Sequence, residues 1–352
     1  MTQSVPDVPE KRQAASSAAR RYALLMGAGA VLLLAAAIAA LVAGRFSLSP
    51  MDAAATLLSP IFGNEGVTQA MHAVIFNVRL PRLILALAAG AGLAAAGAAF
   101  QALFSNPLAT PDTLGVATGA AFGAVLGILL GFGAFAVQLS SLAMGLAAVA
   151  LVYAVSSVRG KSTVLMLILS GLVIGAFFSA LIALVKYAAD PQDVLPAITF
   201  WLMGSMTAAT MKSLAVGLPP IAAGCILLWL LRWRLNALSL PAQEARALGL
   251  RLPQLRALVI VACTMISASI VSMCGLIGWV GLLIPHFVRL VAGGNNEYVL
   301  PASTLYGAIF VLVCDTVARS ATEMEIPVSI LTAVLGAPVF LWLLRRTISA
   351  RL

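Results

Sequence analysis

Residues 164–187 read VLMLILSGLVIGAFFSALIALVKY, and Lys186 is the only charge among these 24 positions. As an α-helix such a run rises ~36 Å, enough to cross a hydrocarbon layer of ~30 Å. The apolar residues are continuous rather than alternating, which selects a helix over a barrel strand. Nine similar runs flank it: Tyr22–Ala43, Leu83–Phe104, Thr113–Gly131, Gly133–Val155, Ser213–Leu231, Gln254–Cys274, Gly275–Val291, Val299–Ala318 and Pro327–Leu344. The pattern predicts an all-α membrane protein with about ten transmembrane helices.

Composition agrees. Hydrophobic residues make up 62% of the 352 and charged residues 9%, against about 25% charged in soluble domains. A sizeable catalytic domain outside the membrane is excluded. We read residues 1–21 as a polar tail, 22–346 as one transmembrane domain with an inner loop at 234–253, and 347–352 as a second tail. The first apolar run is too long for a signal-peptide core and is expected to remain as a span.

The net charge of +9 reflects membrane orientation rather than nucleic-acid binding. An even number of spans puts both termini on one side. Fifteen of the 21 basic residues then share that side, and Arg45, Arg79, Arg82, Lys186, Lys212 and Arg319 lie opposite. Basic residues favour the cytoplasm, so both termini are expected there. Membrane lipid is therefore an expected partner.

Several features invite chemistry and do not support it. Gly160-Lys161-Ser162 resembles the end of a phosphate-binding loop, but position 155 is Val155 where glycine is required. The chain thus shows no ATPase of its own. Cys225, Cys263, Cys274 and Cys314 lie in apolar runs without metal-site spacing. His72 and His286 are far apart in sequence. His286 reads as a helix-end histidine or as a metal or haem ligand. Asp315 is either paired with Arg319 one turn later or part of a transport path. Gly115, Gly119, Gly123, Gly127 and Gly131 form a stripe, either a packing seam or a groove facing the substrate.

Segment 50–62 has helical apolar spacing suited to an interfacial helix, and 190–204 contains a short helix after the fifth span. In the inner loop, Pro241 opens and Gly249 closes a further short helix, Pro241–Leu248.

An ordered set of motifs runs through residues 70–346: RLPR at 79–82; QALFSNPLA at 101–109, followed by Pro111, Leu114 and Gly115; FWLMG at 200–204; EARALG at 244–249; GLIGWVGLLIPH at 275–286, then Arg289; and Pro327 with LGAPVF at 335–340. Together they resemble the FecCD-type permeases of ABC importers for ferric siderophores, haem and vitamin B12. The resemblance implies a homodimer of permeases, two cytoplasmic ATP-binding subunits that hold ATP and Mg, and a periplasmic or lipid-anchored substrate-binding protein, all at the cell inner membrane. No nucleic acid and no cofactor or metal in this chain is implied.

The same resemblance assigns sites. Pro241, Glu244, Ala245, Ala247, Leu248 and Gly249 would form the coupling helix that docks on the ATPase. Arg79, Arg82 and Arg319 would receive acidic residues of the binding protein, the alternative being phospholipid or local pairing of Arg319 with Asp315 or Glu323. Ser162, Thr163 and Val164 would form the cytoplasmic gate. The expected cargo is a ferric siderophore or haem. The alternatives are vitamin B12 and, in another energy class, an ion-coupled secondary carrier.

Overall fold

The structure, a computed structural model, describes residues 8–63, 66–157, 164–240, 242–247 and 249–349. Among these every regular element is helical. In chain order they are α1 (Val8–Val42), α2 (Pro50–Phe62), α3 (Gln69–Ala73), a π-helical turn (Val74–Arg79) and α4 (Leu80–Phe104). Next come α5 (Val116–Leu129), α6 (Ala134–Ser156), α7 (Val164–Ala188), α8 (Val194–Leu202) and α9 (Met211–Leu235). The chain closes with α10 (Ala242–Ala247), α11 (Leu252–Cys274), α12 (Val280–Ala292), α13 (Asn296–Ser320) and α14 (Val328–Ser349).

Seven helical stretches are long and apolar enough to cross a membrane, and α5, α12 and Val328–Leu343 are shorter apolar helices. Each overlies one of the ten expected runs. The interfacial helix and the short helix after the fifth span also form, as α2 and α8. Ser49 and Asp52 cap α2 reciprocally.

Most span ends shift by a few residues, α1 already begins at Val8 rather than Tyr22, and two further starts change the local structure. The second span begins at Gln69 rather than Leu83. The intervening π turn and the placement of Pro81 at the first turn of α4 carry the chain past the proline. The eighth run is helical only from Val280. Residues 275–279 are irregular, with left-handed φ at Gly275 and Trp279. This broken stretch is tolerated inside the protein because its surroundings are stitched by backbone bonds: Ser205 donates to the Cys274 carbonyl and Val328 to that of Gly204.

The core centres on α4 and α11. The Ala/Gly-rich α4 is buried almost all round from Leu85 to Phe104 and packs against α9, α11, α12 and α13. Small side chains make this possible, because helix association in lipid depends on close backbone approach. At the α4–α13 crossing, a Cβ on Gly90 would strike the Gly307 carbonyl. At the α4–α12 crossing, one on Gly97 would strike that of Gly281.

The α5 stripe is a packing seam. Gly119, Gly123 and Gly127 lie against Met144, Ser140 and Val137 of α6. By contrast α7 buries only Leu167, Ser170, Gly171, Phe178 and Val185. Its opposite face, including Leu165, Leu169 and Leu172, is exposed.

Candidate docking and coupling sites

Polar side chains gather at the two ends of α4. Arg82 and Gln101 are 19 positions apart on that helix, ~28 Å along its axis, close to the hydrocarbon thickness.

At the Arg82 end the three arginines come together. The last carbonyls of any helix lack internal partners and carry the negative end of its dipole. Here Arg79 donates to Leu41 and Val42 (Nη1 to the latter at 3.0 Å) and to the Phe46 carbonyl. Arg319 donates to Ala43 at 2.9 Å and to Ala40. Two guanidiniums thus cap α1. Gly44 sits between them, where a Cβ would lie 3.2 Å from one and 3.3 Å from the other. Arg82 donates through Nε to both Asp315 oxygens, at 2.9 and 3.0 Å, and through Nη1 to Glu325 at 2.7 Å.

The arginines expected to face a partner are therefore largely engaged within the chain. Arg79 and Arg82 are buried, at 4% and 6% exposure. Asp315 is paired more closely with Arg82 than with Arg319, whose Nε lies 3.9 Å away. Glu325, rather than Glu323, completes the cluster. Neither pairing partner of Arg82 was legible, since they lie 233 and 243 positions downstream. The arginines nonetheless line a cavity of about 190 Å³, together with Arg45, Gly44, Phe46 and Glu325. Arg45 is exposed at its rim.

At the Gln101 end lie Arg289, Asn295, Asn296 and Asn236, and from there the chain leads into α10. Glu244 and Ala247 of α10 are exposed. Ala245 is fully buried, at the edge of the main hydrophobic cluster of the chain. The small residue at 245 thus seats α10 on its own chain and is not presented to a partner, which corrects the sequence expectation for that position. Pro241 and Leu248 lie outside the described residues; Gly249 follows with φ +74°. Ser162 and Thr163 also lie outside them. Val164 is the first residue of α7 and is half-buried.

His286 is buried, with its ring 5.7 Å from that of Phe340. Among the described residues no group of three or more His, Cys, Asp or Glu side chains is arranged to hold a metal. The four cysteines are free thiols.

Residues 32–346 match the FecCD transport family. The chain belongs to that family. A relative from Haemophilus influenzae, the molybdate import system permease protein MolB, is 41% identical over 303 residues, covering 86% of this chain and 90% of the relative. A probable iron chelatin transport system permease protein of Helicobacter pylori is 42% identical over 284 residues, covering 79% and 84%. A solved transporter described as of metal-chelate ABC type, in an inward-facing conformation, superposes with a TM-score of 0.82 at 40% identity, covering 92% of this chain and 99% of that one. The chain is therefore an integral membrane permease of FecCD type, and the sequence motifs pointed to the right family.

Proposed function

We propose that this permease carries a metal chelate, a ferric siderophore or haem, into the cytoplasm by ATP-driven alternating access. The likeness along nearly the whole chain to a metal-chelate type transporter carries this reading. Vitamin B12 is a cargo of the same bulky class. The molybdate permease relative favours a second reading, a small oxyanion. An ion-coupled mechanism finds less support: Asp315, the buried acid among the described residues, has its charge committed to Arg82.

In this reading two copies form a homodimer in the lipid bilayer, with the exposed face of α7 toward the shared axis and both termini in the cytoplasm. Ser162, Thr163 and Val164 from each copy form the inner gate. Thr163→Cys copies cross-link between subunits when the gate is closed and less when it opens; no cross-link in any nucleotide state sinks that placement. Two cytoplasmic subunits bind ATP and Mg and dock on the α10 segment, with Pro241, Glu244, Ala247, Leu248 and Gly249 at the contact.

The binding protein docks over the arginine cavity. Arg45, Arg79, Arg82 and Arg319 outnumber the carboxylates Asp315 and Glu325 there, so the site carries a positive excess that suits acidic residues. Because Arg79, Arg82 and Arg319 also hold the fold, the informative variant is Arg45→Glu. Rim charges act mainly on association rate and are screened beyond a Debye length of ~8 Å at physiological salt. The variant slows capture of loaded binding protein and flattens its salt dependence. Unchanged capture and salt slope count against docking here.

A further inference from the structure

The polar groups at the Gln101 end form one connected set whose orientation is fixed by groups that can only donate. The backbone N–H of Asn296 donates to Asn236 Oδ1 at 2.8 Å. The other Asn236 side-chain atom is therefore Nδ2, and it donates to Asn295 Oδ1 at 2.8 Å. Arg289 has no acceptor, so the Asn296 atom it reaches at 3.0 Å is Oδ1. Asn296 Nδ2 is thereby turned to Asn236 Oδ1, at 3.0 Å. The same guanidinium donates to the Ala98 carbonyl at 3.2 Å, to that of Gly294 at 3.3 Å and to Gln101 Oε1 at 3.4 Å. That leaves Gln101 Nε2 to donate to Gly281 and Leu282, at 3.4 and 3.3 Å. Asn296 and Gln101 are nearly excluded from solvent, at 3% and 4% exposure.

Four separate pieces of chain meet in this set. Asn236 caps α9 and begins the short 3-10 turn, Asn236–Ser239, that leads into the α10 loop. Asn295 and Asn296 open α13, Arg289 lies in the last turn of α12, and Ala98 and Gln101 lie near the inner end of α4. The root of the coupling loop is thus bonded directly to the turn between α12 and α13, and through Arg289 to α4. A purely apolar contact would let these elements slide. Directional bonds with satisfied and desolvated partners hold one arrangement.

We infer that Asn236, Asn296, Arg289 and Gln101 are positioning residues that make the root of the α10 loop, the α12–α13 turn and the inner end of α4 move as one body. A displacement imposed at α10 then reaches the buried core instead of being absorbed in the loop. The inference rests on the reading of α10 as the ATPase contact.

The test uses the complete importer in proteoliposomes: permease, ATPase subunits and binding protein. Three quantities are read, namely ATPase retained on the purified permease, ATP hydrolysed without cargo, and ATP hydrolysed per cargo imported. Asn236→Ala removes all three side-chain bonds. It retains the ATPase and cargo-free hydrolysis, but raises ATP spent per cargo about tenfold, toward the lower end of typical couplings between sites. Asn236→Asp keeps the acceptor for both Asn296 donors but sets an oxygen against Asn295 Oδ1, and returns the ratio part of the way to wild type. Should Asn236→Ala fail to insert, Arg289→Lys, which keeps the charge and loses the fork, shows the same rise.

A wild-type ratio in the inserted variant overturns the inference, as does equal impairment of the Ala and Asp variants or loss of ATPase from Asn236→Ala. Ala247→Arg separates this failure from that of the underlying reading. If it leaves ATPase binding intact, the α10 contact itself is misassigned.

Discussion

Ala247→Arg abolishes uptake while the permease still inserts and folds. Ala247 is exposed on α10, so the larger side chain meets no obstacle within its own chain and should not disturb the fold. Ala245, two positions earlier, is fully buried beneath the same helix, so α10 keeps its seat in the variant. If α10 is the ATPase contact proposed above, the new guanidinium adds bulk where the wild type presents only a methyl group. It also brings a charge without a partner, and an uncompensated buried charge costs about 3–5 kcal/mol. That is enough to reduce occupancy of the contact a hundredfold or more. Co-purification of the ATPase with the permease measures it, and wild-type recovery of the ATPase would show that α10 serves another purpose. Ala245→Arg gives the contrasting result: misfolding, because its side chain has no space to enter.

Asp315→Ala causes the largest loss of stability expected at the opposite end. Asp315 and Arg82 are both buried, with side-chain exposures of 2% and 7%. Removing the carboxylate leaves Arg82 with only the partly exposed Glu325 and withdraws the nearest anion from Arg319, for a cost of about 3 kcal/mol, the low end for a broken buried pair. Glu325→Ala removes a carboxylate from the same guanidinium, but that side chain is 30% exposed. Water replaces much of what is lost, and the cost falls to about 1 kcal/mol or less. Unfolding in detergent with a thiol reagent reads both, because Cys314 is 1% exposed and becomes reactive only when this region opens. Equal effects of the two variants would contradict the division between a buried structural carboxylate and a peripheral one.

The arginine cluster shows what a sequence carries and what it leaves out. Apolar run length located the helices, because the thickness of the bilayer sets a length that single residues cannot disguise. The bounds of α2 were legible from helical apolar spacing over 50–62, and the structure closes them with Pro50, the Ser49–Asp52 cap and Gly63. The concentration of arginine on one face was legible too, as a departure from the usual charge bias. Its use within the fold was not. Arg79 and Arg319 cap α1 from distant parts of the chain, and no local pattern announces a side chain that completes another helix. The same holds for the Asn236–Asn296–Arg289 set: asparagines near turns are common, and only the folded chain brings these together. The irregular stretch at 275–279 was hidden because its residues are as apolar as a helix. Its departure lies in two left-handed backbone positions, one of them at Trp279, where sequence preference gives no warning.

The central claim is that this permease moves its cargo on energy supplied by a partner ATPase. Uptake of a radiolabelled ferric siderophore or haem into proteoliposomes holding the permease, ATPase and loaded binding protein tests it most directly. The account predicts accumulation with ATP and Mg present on the ATPase side, none with a hydrolysis-deficient ATPase, and no change when proton and sodium gradients are collapsed. Uptake that persists without the ATPase and follows an imposed ion gradient would contradict it.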